Sequence, residues 1–134
     1  MSGETDLARL LQTMRPERNP GEYVYCLLDS PERAAALRPV GMFREQEGTT
    51  VILSREQAQA ESLPCALVCA WITLTVHSSL EAVGLTAAVS KALTQANISC
   101  NVVAAYYHDH LFVPLEDADR AMETLLALSS GFRK

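Results

Sequence analysis

The residues from Val76 to Val103, VHSSLEAVGLTAAVSKALTQANISCNVV, decide the fold of this chain. They predict a strand end, a polar loop, an amphipathic helix and a second strand. The predicted helix has one apolar face at helical spacing, made of Leu85, Val89, Ala92, Leu93 and Ala96. Asn97 follows that face and suits the left-handed position at a helix end. The segment therefore predicts an α+β unit in which one helix connects two strands.

The second half of the chain extends this unit on both sides. Residues 65–77 are a long predicted strand, because apolar and more polar side chains alternate from Trp71 onwards. After the helix come, in order, a predicted strand (98–107), a tight turn at His108-Asp109, another strand (110–115) and a last helix with Ala121, Leu125 and Leu128 on its buried side. The order strand, helix, strand, strand, helix predicts a ferredoxin-like βαββαβ unit that lacks its last strand.

The first half predicts a similar series that lacks its first strand. Its elements are a helix (6–14), a turn-rich connector (15–21), a strand (23–28), a short helical turn (31–37), a hairpin (40–45 with 49–53) and a helix over 54–62 capped by Ser54. We therefore predict an α+β protein of two degenerate ferredoxin-like modules in tandem, with antiparallel sheets. The predicted modules are residues 1–66 and 67–134.

Composition and charge restrict the class of partner. The chain has 134 residues, of which 49% are hydrophobic, and a net charge of −5. An acidic chain has no general electrostatic attraction to nucleic acid or to anionic lipid. It shows neither an apolar run long enough for a membrane span nor a signal-peptide pattern. We expect a cytoplasmic protein whose partners are neither nucleic acid nor membrane.

The four cysteines lie in apolar runs without the CxxC spacing of a metal or redox motif. They are Cys26, Cys65, Cys69 and Cys100. This pattern predicts buried free thiols that pack in the core, rather than a disulfide or zinc framework.

A family resemblance adds to these predictions. Gly84-Leu85, then Val89 and Leu93, and Ile98 after Asn97 resemble the glycine, helix and strand signature of the ACT domain, a regulatory module that binds amino acids. The resemblance covers residues 71–128. The chain is similar to short bacterial ACT-containing proteins, and in layout to the paired ACT modules of aspartate kinases.

This resemblance implies a regulatory protein without catalysis or cofactor, which binds an amino-acid effector between its modules and acts through a homodimer or a regulated partner protein. The ligand-binding residues that it implies are His77, Ser78, Ser79, Leu80, Glu81, Val83, Gly84 and Leu85 in the loop and helix start, and Cys100, Asn101 and Val102 on the facing strand. Many members of the family have Pro-Gly preceded by an acidic residue. Here the glycine follows Val83 and the loop is longer.

The residue types in this loop are compatible with that chemistry. Free backbone N–H groups at a helix start, beside a glycine that permits close approach, favour a carboxylate. Glu81 or Asp109 would face the ammonium group of an amino acid, and Asn101 can bind both groups. The alternative for Ser78-Ser79-Leu80-Glu81 is a capping box that satisfies backbone donors and contacts no ligand.

Two other functions remain open from the residues alone. One is a structural or protein-interaction role with no ligand. The other, a metal-dependent hydrolase, would use His77, His108 and His110, because residues 108 and 110 share a face if they lie on a strand. Five arginines of the first half are predicted to be solvated, although one of them would suit a ligand carboxylate; they are Arg15, Arg18, Arg33, Arg38 and Arg44.

Overall fold

The structure is a computed structural model that describes residues 3–75 and 84–131. Its elements, in chain order, are α1 (Gly3–Thr13), β1 (Arg15–Arg18), β2 (Tyr23–Leu28), α2 (Pro31–Ala36), β3 (Gly41–Arg44), β4 (Thr49–Ser54), α3 (Arg55–Ala60), β5 (Ala66–Thr75), α4 (Leu85–Gln95), β6 (Asn101–Ala104), β7 (Asp109–Pro114), a 3-10 turn (Leu115–Asp117) and α5 (Ala118–Ser130). They form two compact units. One contains residues 20–70, and the other combines residues 1–19 with residues 71–134.

The unit of residues 20–70 is a complete βαββαβ module. Its strands lie in the order β3-β4-β2-β5, and every pair with a defined register is antiparallel. The core is a cluster of buried side chains, namely Val24, Cys26, Leu28, Ala34, Val51, Leu53 and Ala58. The prediction that this module lacks its first strand is wrong. β2 is that strand, α2 is the first helix, and the start of β5 is the fourth strand.

The unit of residues 1–19 and 71–134 obtains its fourth strand from the N-terminal segment. Its strands lie in the order β1-β5-β7-β6. β1 runs antiparallel to the end of β5, with Arg15 opposite Thr75 and Arg18 opposite Ile72. Residues 15–18 were predicted to be part of a connector because they contain Pro16. An edge strand tolerates a proline, because one of its sides needs no backbone donor.

Helix α1 belongs to the same unit as α4 and α5, and contacts both of them. Leu11 and Met14 are buried, at 1% and 0% exposure. The buried hydroxyl of Ser129 on α5 donates a hydrogen bond of 3.0 Å to the carbonyl oxygen of Met14. The compact units therefore differ from the predicted division at 66/67 in the placement of residues 1–19.

Several predicted helix ends are confirmed. Ser54 caps α3 by accepting a 3.1 Å hydrogen bond from the backbone N–H of Gln57. Asn97 has a φ of 60°, and the N–H of Ile98 bonds to the carbonyl of Leu93, which closes the end of α4. Because residues 97 and 98 complete the helix end, β6 begins only at Asn101, three residues later than predicted.

The hairpin between β6 and β7 turns earlier than predicted. The N–H of Ala105 donates to the carbonyl of His108 at 3.0 Å, so Tyr106 and Tyr107 are the turn residues rather than His108-Asp109. β6 therefore ends at Ala104.

The prediction of four buried cysteines is wrong in part, because Cys65 is exposed and Cys100 is half-buried. Cys65 follows Pro64 and precedes β5, and it belongs to neither a helix nor a strand.

Candidate ligand sites

Most of the predicted ligand loop lies outside the described residues. This applies to His77, Ser78, Ser79, Leu80, Glu81 and Val83. α4 begins at Leu85 with Gly84 as its N-cap, and the alternative of a capping box at residues 78–81 lies outside the described residues. Gly84 has a φ of +97°, and a Cβ atom there would lie 3.2 Å from Cδ2 of Leu7. Only a glycine meets both conditions without strain.

The remaining predicted ligand residues are described but do not form one group. Leu85 is buried at 3% exposure and packs in the core. Asn101 is exposed and lies opposite Phe112, whereas Val102 is half-buried and lies opposite Leu111. Consecutive strand residues point to opposite faces of a sheet, so the side chains of Asn101 and Val102 cannot line one pocket on a single face.

Cys100 lies between α4 and β6 and is half-buried. Burial raises the pKa of its thiol, and a hydrogen bond from the side chain of Ser90 opposes this by stabilising the thiolate. A thiol with a raised pKa is mostly protonated at neutral pH and is a weak nucleophile.

His110, near the start of β7, is held in a polar network. The indole N–H of Trp71 donates to Nδ1 of His110 at 3.0 Å, and Oγ1 of Thr73 lies 3.1 Å from the same atom. Asn19 completes the network by donating from Nδ2 to Oγ1 of Thr73 at 2.9 Å. Burial lowers the pKa of His110, His108 lowers it further, and Asp109 acts in the opposite direction.

Within residues 3–75 and 84–131, no group of three or more His, Cys, Asp or Glu side chains is arranged to hold a metal ion. His77 lies outside these residues. Nδ1 of His110 already accepts the hydrogen bond from Trp71, which leaves Nε2 as its only nitrogen for another ligand. Burial also raises the pKa of Asp109, the residue predicted to face an ammonium group, while His110 lowers it.

A cleft that the sequence did not predict lies in the unit of residues 20–70. Its volume is about 340 Å³, and it is lined by Leu27, Leu28, Asp29, Arg33, Glu47, Leu63 and Pro64. Ser30 caps α2 beside it, accepting a hydrogen bond from the N–H of Arg33 at 3.2 Å. Among the described residues, none of the charged groups of Asp29, Arg33 and Glu47 is in an ion pair.

A second cleft of about 430 Å³ in this unit has a different electrostatic character. It is lined by Gly21, Glu22, Ser54, Arg55, Glu56 and Gln59. Its guanidinium, from Arg55, is already paired with Glu22 at 2.9 Å. A ligand carboxylate would have to displace that partner, so the cleft beside Arg33 is the better anion site.

Comparison with known families agrees with the division into two modules. A model described as an ACT domain matches residues 2–70, and a second ACT domain model matches residues 67–127. The chain belongs to the ACT domain family. The predicted fold, two ferredoxin-like ACT domains in tandem with antiparallel sheets, is confirmed. No functionally curated protein matches the sequence at a significant level.

Solved structures show the same architecture. A protein of unknown function from Vibrio cholerae, described as a possible transport protein, is 45% identical, with a TM-score of 0.86 over 96% of this chain and 99% of that chain. The aspartate kinase of Clostridium acetobutylicum is 8% identical and has a TM-score of 0.64 over 88% of this chain and 34% of its own. The ligand-free regulatory subunit of aspartate kinase from Thermus thermophilus is 10% identical and has a TM-score of 0.59 over 84% and 95%. At these identities the two kinases show the ACT fold alone.

The ACT pattern also explains why the cleft beside Arg33 was missed. Asp29 and Ser30 follow strand β2, and Pro31 is the first residue of helix α2, so an acidic residue and a proline stand close to where many ACT domains have them. The sequence therefore has the acidic residue and the proline of the family pattern but not its glycine, because Glu32 follows Pro31.

No helix of the described residues has the length and apolar character that a membrane crossing requires.

Proposed function

We propose that this ACT protein is a non-catalytic regulator that binds a free amino acid in the cleft beside Arg33. The observation that carries the proposal is the set of charges in that cleft. Asp29, Arg33 and Glu47 line it together, and no ion pair among the described residues neutralises them. A free amino acid is a zwitterion, with one negative and one positive group to pair with the opposite charges of such a cleft.

The chemistry of the lining fits each part of an amino acid. The guanidinium of Arg33 can hold the α-carboxylate through two parallel hydrogen bonds. Asp29 and Glu47 offer carboxylates to the α-ammonium group. Leu27, Leu63 and Pro64 offer apolar surface to a side chain. A volume of about 340 Å³ lies within the range of small-molecule clefts.

The predicted site at the start of α4 is the second place that we propose for a ligand, with Gly84 at the helix start and Asn101 on β6 among its described residues. Support comes from the left-handed N-cap at Gly84, since the first N–H groups of a helix have no acceptor within it. Binding at either place can regulate only if the ligand prefers one of two states. A homodimer or a docked partner protein supplies such a second state.

Calorimetry and thermal-shift assays against the free amino acids test the proposal. We expect at least one amino acid to raise the Tm by mass action, and its amide, which lacks the carboxylate, to bind more weakly. Arg33→Ala should weaken binding by about tenfold or more, since a hydrogen bond to a charged group contributes about 1.5–3 kcal/mol. Lys91→Ala removes the same charge from an exposed site on α4 and is the matched control.

Two outcomes would redirect the interpretation. If no amino acid binds the wild-type protein, the proposal fails and a structural or interaction role without ligand replaces it. If an amino acid binds and Arg33→Ala has no effect while Asn101→Ala abolishes binding, the ligand occupies the site near α4 instead.

A further inference from the structure

Cys26 on β2 and Cys65 just before β5 are each next to a paired position of these two strands, in the unit of residues 20–70. β2 and β5 are antiparallel, with Tyr25 opposite Ala66. One residue further along β2 is Cys26, and one residue before Ala66 is Cys65. The register shifts between Tyr23 and Tyr25, and continuing the antiparallel register by one position from the pair of Tyr25 and Ala66 places Cys26 opposite Cys65.

Directly opposed positions would suit a covalent bond between the two sulfur atoms. Directly opposed residues of antiparallel strands have Cα atoms about 4.5–5.5 Å apart. A disulfide spans Cα separations of about 4.4–6.8 Å. Both cysteines are free thiols in this structure.

The two thiols differ in their access to solvent. Cys26 is 4% exposed within the core, whereas Cys65 is exposed. Burial raises the pKa of Cys26, and the charge of Cys65 raises it further. Cys69 has a different position, because it lies opposite Tyr23 and its thiol donates to the carbonyl of Leu67 at 3.0 Å.

We propose that Cys26 and Cys65 form a thiol–disulfide redox site. The oxidant is a low-molecular-weight disulfide. Cys65 loses its proton to solvent, and its sulfur attacks the disulfide, forming a mixed disulfide and releasing one small thiolate. Cys26 then loses its proton and attacks the sulfur of Cys65, which forms the cross-strand bond and releases the second small thiolate. Two protein thiols are oxidised, and one small disulfide is reduced to two thiols.

The bond would join the two walls of the cleft beside Arg33. Leu27 and Leu28 follow Cys26 directly, Leu63 and Pro64 precede Cys65, and all four line the cleft. Oxidation would therefore hold these walls together. The redox site itself stands on the register of β2 and β5 and does not depend on amino-acid binding.

Peptide mapping of the full-length protein tests the site. The protein is incubated with oxidised glutathione at pH 8, alkylated, and digested with trypsin without reduction. Arg33, Arg44 and Arg55 lie between the two cysteines, so the disulfide should appear as a linked pair of peptides, residues 19–33 with residues 56–91. The linked pair should weigh two hydrogen atoms less than the separate peptides and should separate on reduction.

Cys69 shares the second peptide with Cys65, so variants must assign the bond. We expect the linked pair to persist in Cys69→Ala and to disappear in Cys65→Ser, where only an exposed side chain changes. A peptide pair that disappears in Cys69→Ala and persists in Cys65→Ser would overturn the proposal. Glutathione attached to Cys65 with no linked peptide, after prolonged incubation, would also overturn it. None of these outcomes depends on whether an amino acid binds.

Discussion

The indole nitrogen of Trp71 donates a hydrogen bond to Nδ1 of His110 across 3.0 Å. An indole N–H can only donate, so Nδ1 must be the unprotonated nitrogen of a neutral imidazole. A proton on Nδ1 would bring two donors together. The contact therefore favours the neutral form of His110 in the folded protein, in the same direction as its burial.

The stability of the protein should consequently fall as the pH falls below about 6.5. The folded protein has a lowered pKa for His110, so the unfolded chain takes up the proton first as the pH decreases. The stabilisation is complete above the unfolded pKa and is lost as the pH falls towards the folded pKa. Urea unfolding between pH 5 and pH 8 measures this, and the fluorescence of the single tryptophan follows it.

His110→Gln should flatten this pH dependence, because its side chain does not titrate. The titration of Asp109 has the opposite effect on stability. Its pKa is raised, so the folded protein takes up this proton more readily than the unfolded chain. Asp109→Asn should therefore steepen the loss of stability at acidic pH. Equal slopes for the wild type and His110→Gln would contradict the assignment of the effect to His110.

Ser129→Ala should destabilise the protein by about 1–3 kcal/mol. Ser129 has 0% exposure and donates to the carbonyl of Met14 at 3.0 Å, so its removal leaves a carbonyl without that donor between α1 and α5. Chemical denaturation measures the difference. Ser130→Ala is the control, because this neighbour is exposed and should change stability by less than about 0.5 kcal/mol.

Residues 67–134 alone should not unfold cooperatively. They lack β1, which pairs with β5, and the buried side chains of Leu11 and Met14. A chain in which residues 1–19 are joined to residues 71–134 by a two-residue turn should unfold cooperatively. The N–H of Asn19 donates to the carbonyl of Trp71 at 2.8 Å, so the two residues to be joined are already adjacent. Circular dichroism during heating compares the two chains. A sharp transition for residues 67–134 would support the division at 66/67 instead.

Gly84→Ala should cost about 1–3 kcal/mol, because a side chain is strained at a φ of +97°. Gly41→Ala is the matched control. Its φ is not in the left-handed region, and the nearest atom, Cδ1 of Ile52 at 3.3 Å, is the end of a flexible side chain. Thermal unfolding should show a clear loss for Gly84→Ala and a change below about 1 kcal/mol for Gly41→Ala. Similar losses in both would show that the left-handed conformation is not the cause.

Local patterns predicted the elements that depend on local interactions. β2 was predicted with its observed bounds, and the cap at Ser54 and the left-handed Asn97 were predicted because their partners are within five residues. β1 was missed, because its pairing with β5 joins residues some sixty positions apart and because Pro16 makes the local sequence unlike a strand. The cleft beside Arg33 was missed for a similar reason, since it brings Asp29 together with Glu47 and Leu63.

The sequence by itself determined that this protein consists of ACT domains, because the spacing of glycine, apolar helix and strand is written in consecutive residues such as Gly84 to Ile98. Only the tertiary structure decided which segments complete each module and which residues line the cleft. Strand pairing joins distant residues, and its register depends on the packing of the whole sheet. That register placed Arg15 opposite Thr75 and Tyr25 opposite Ala66.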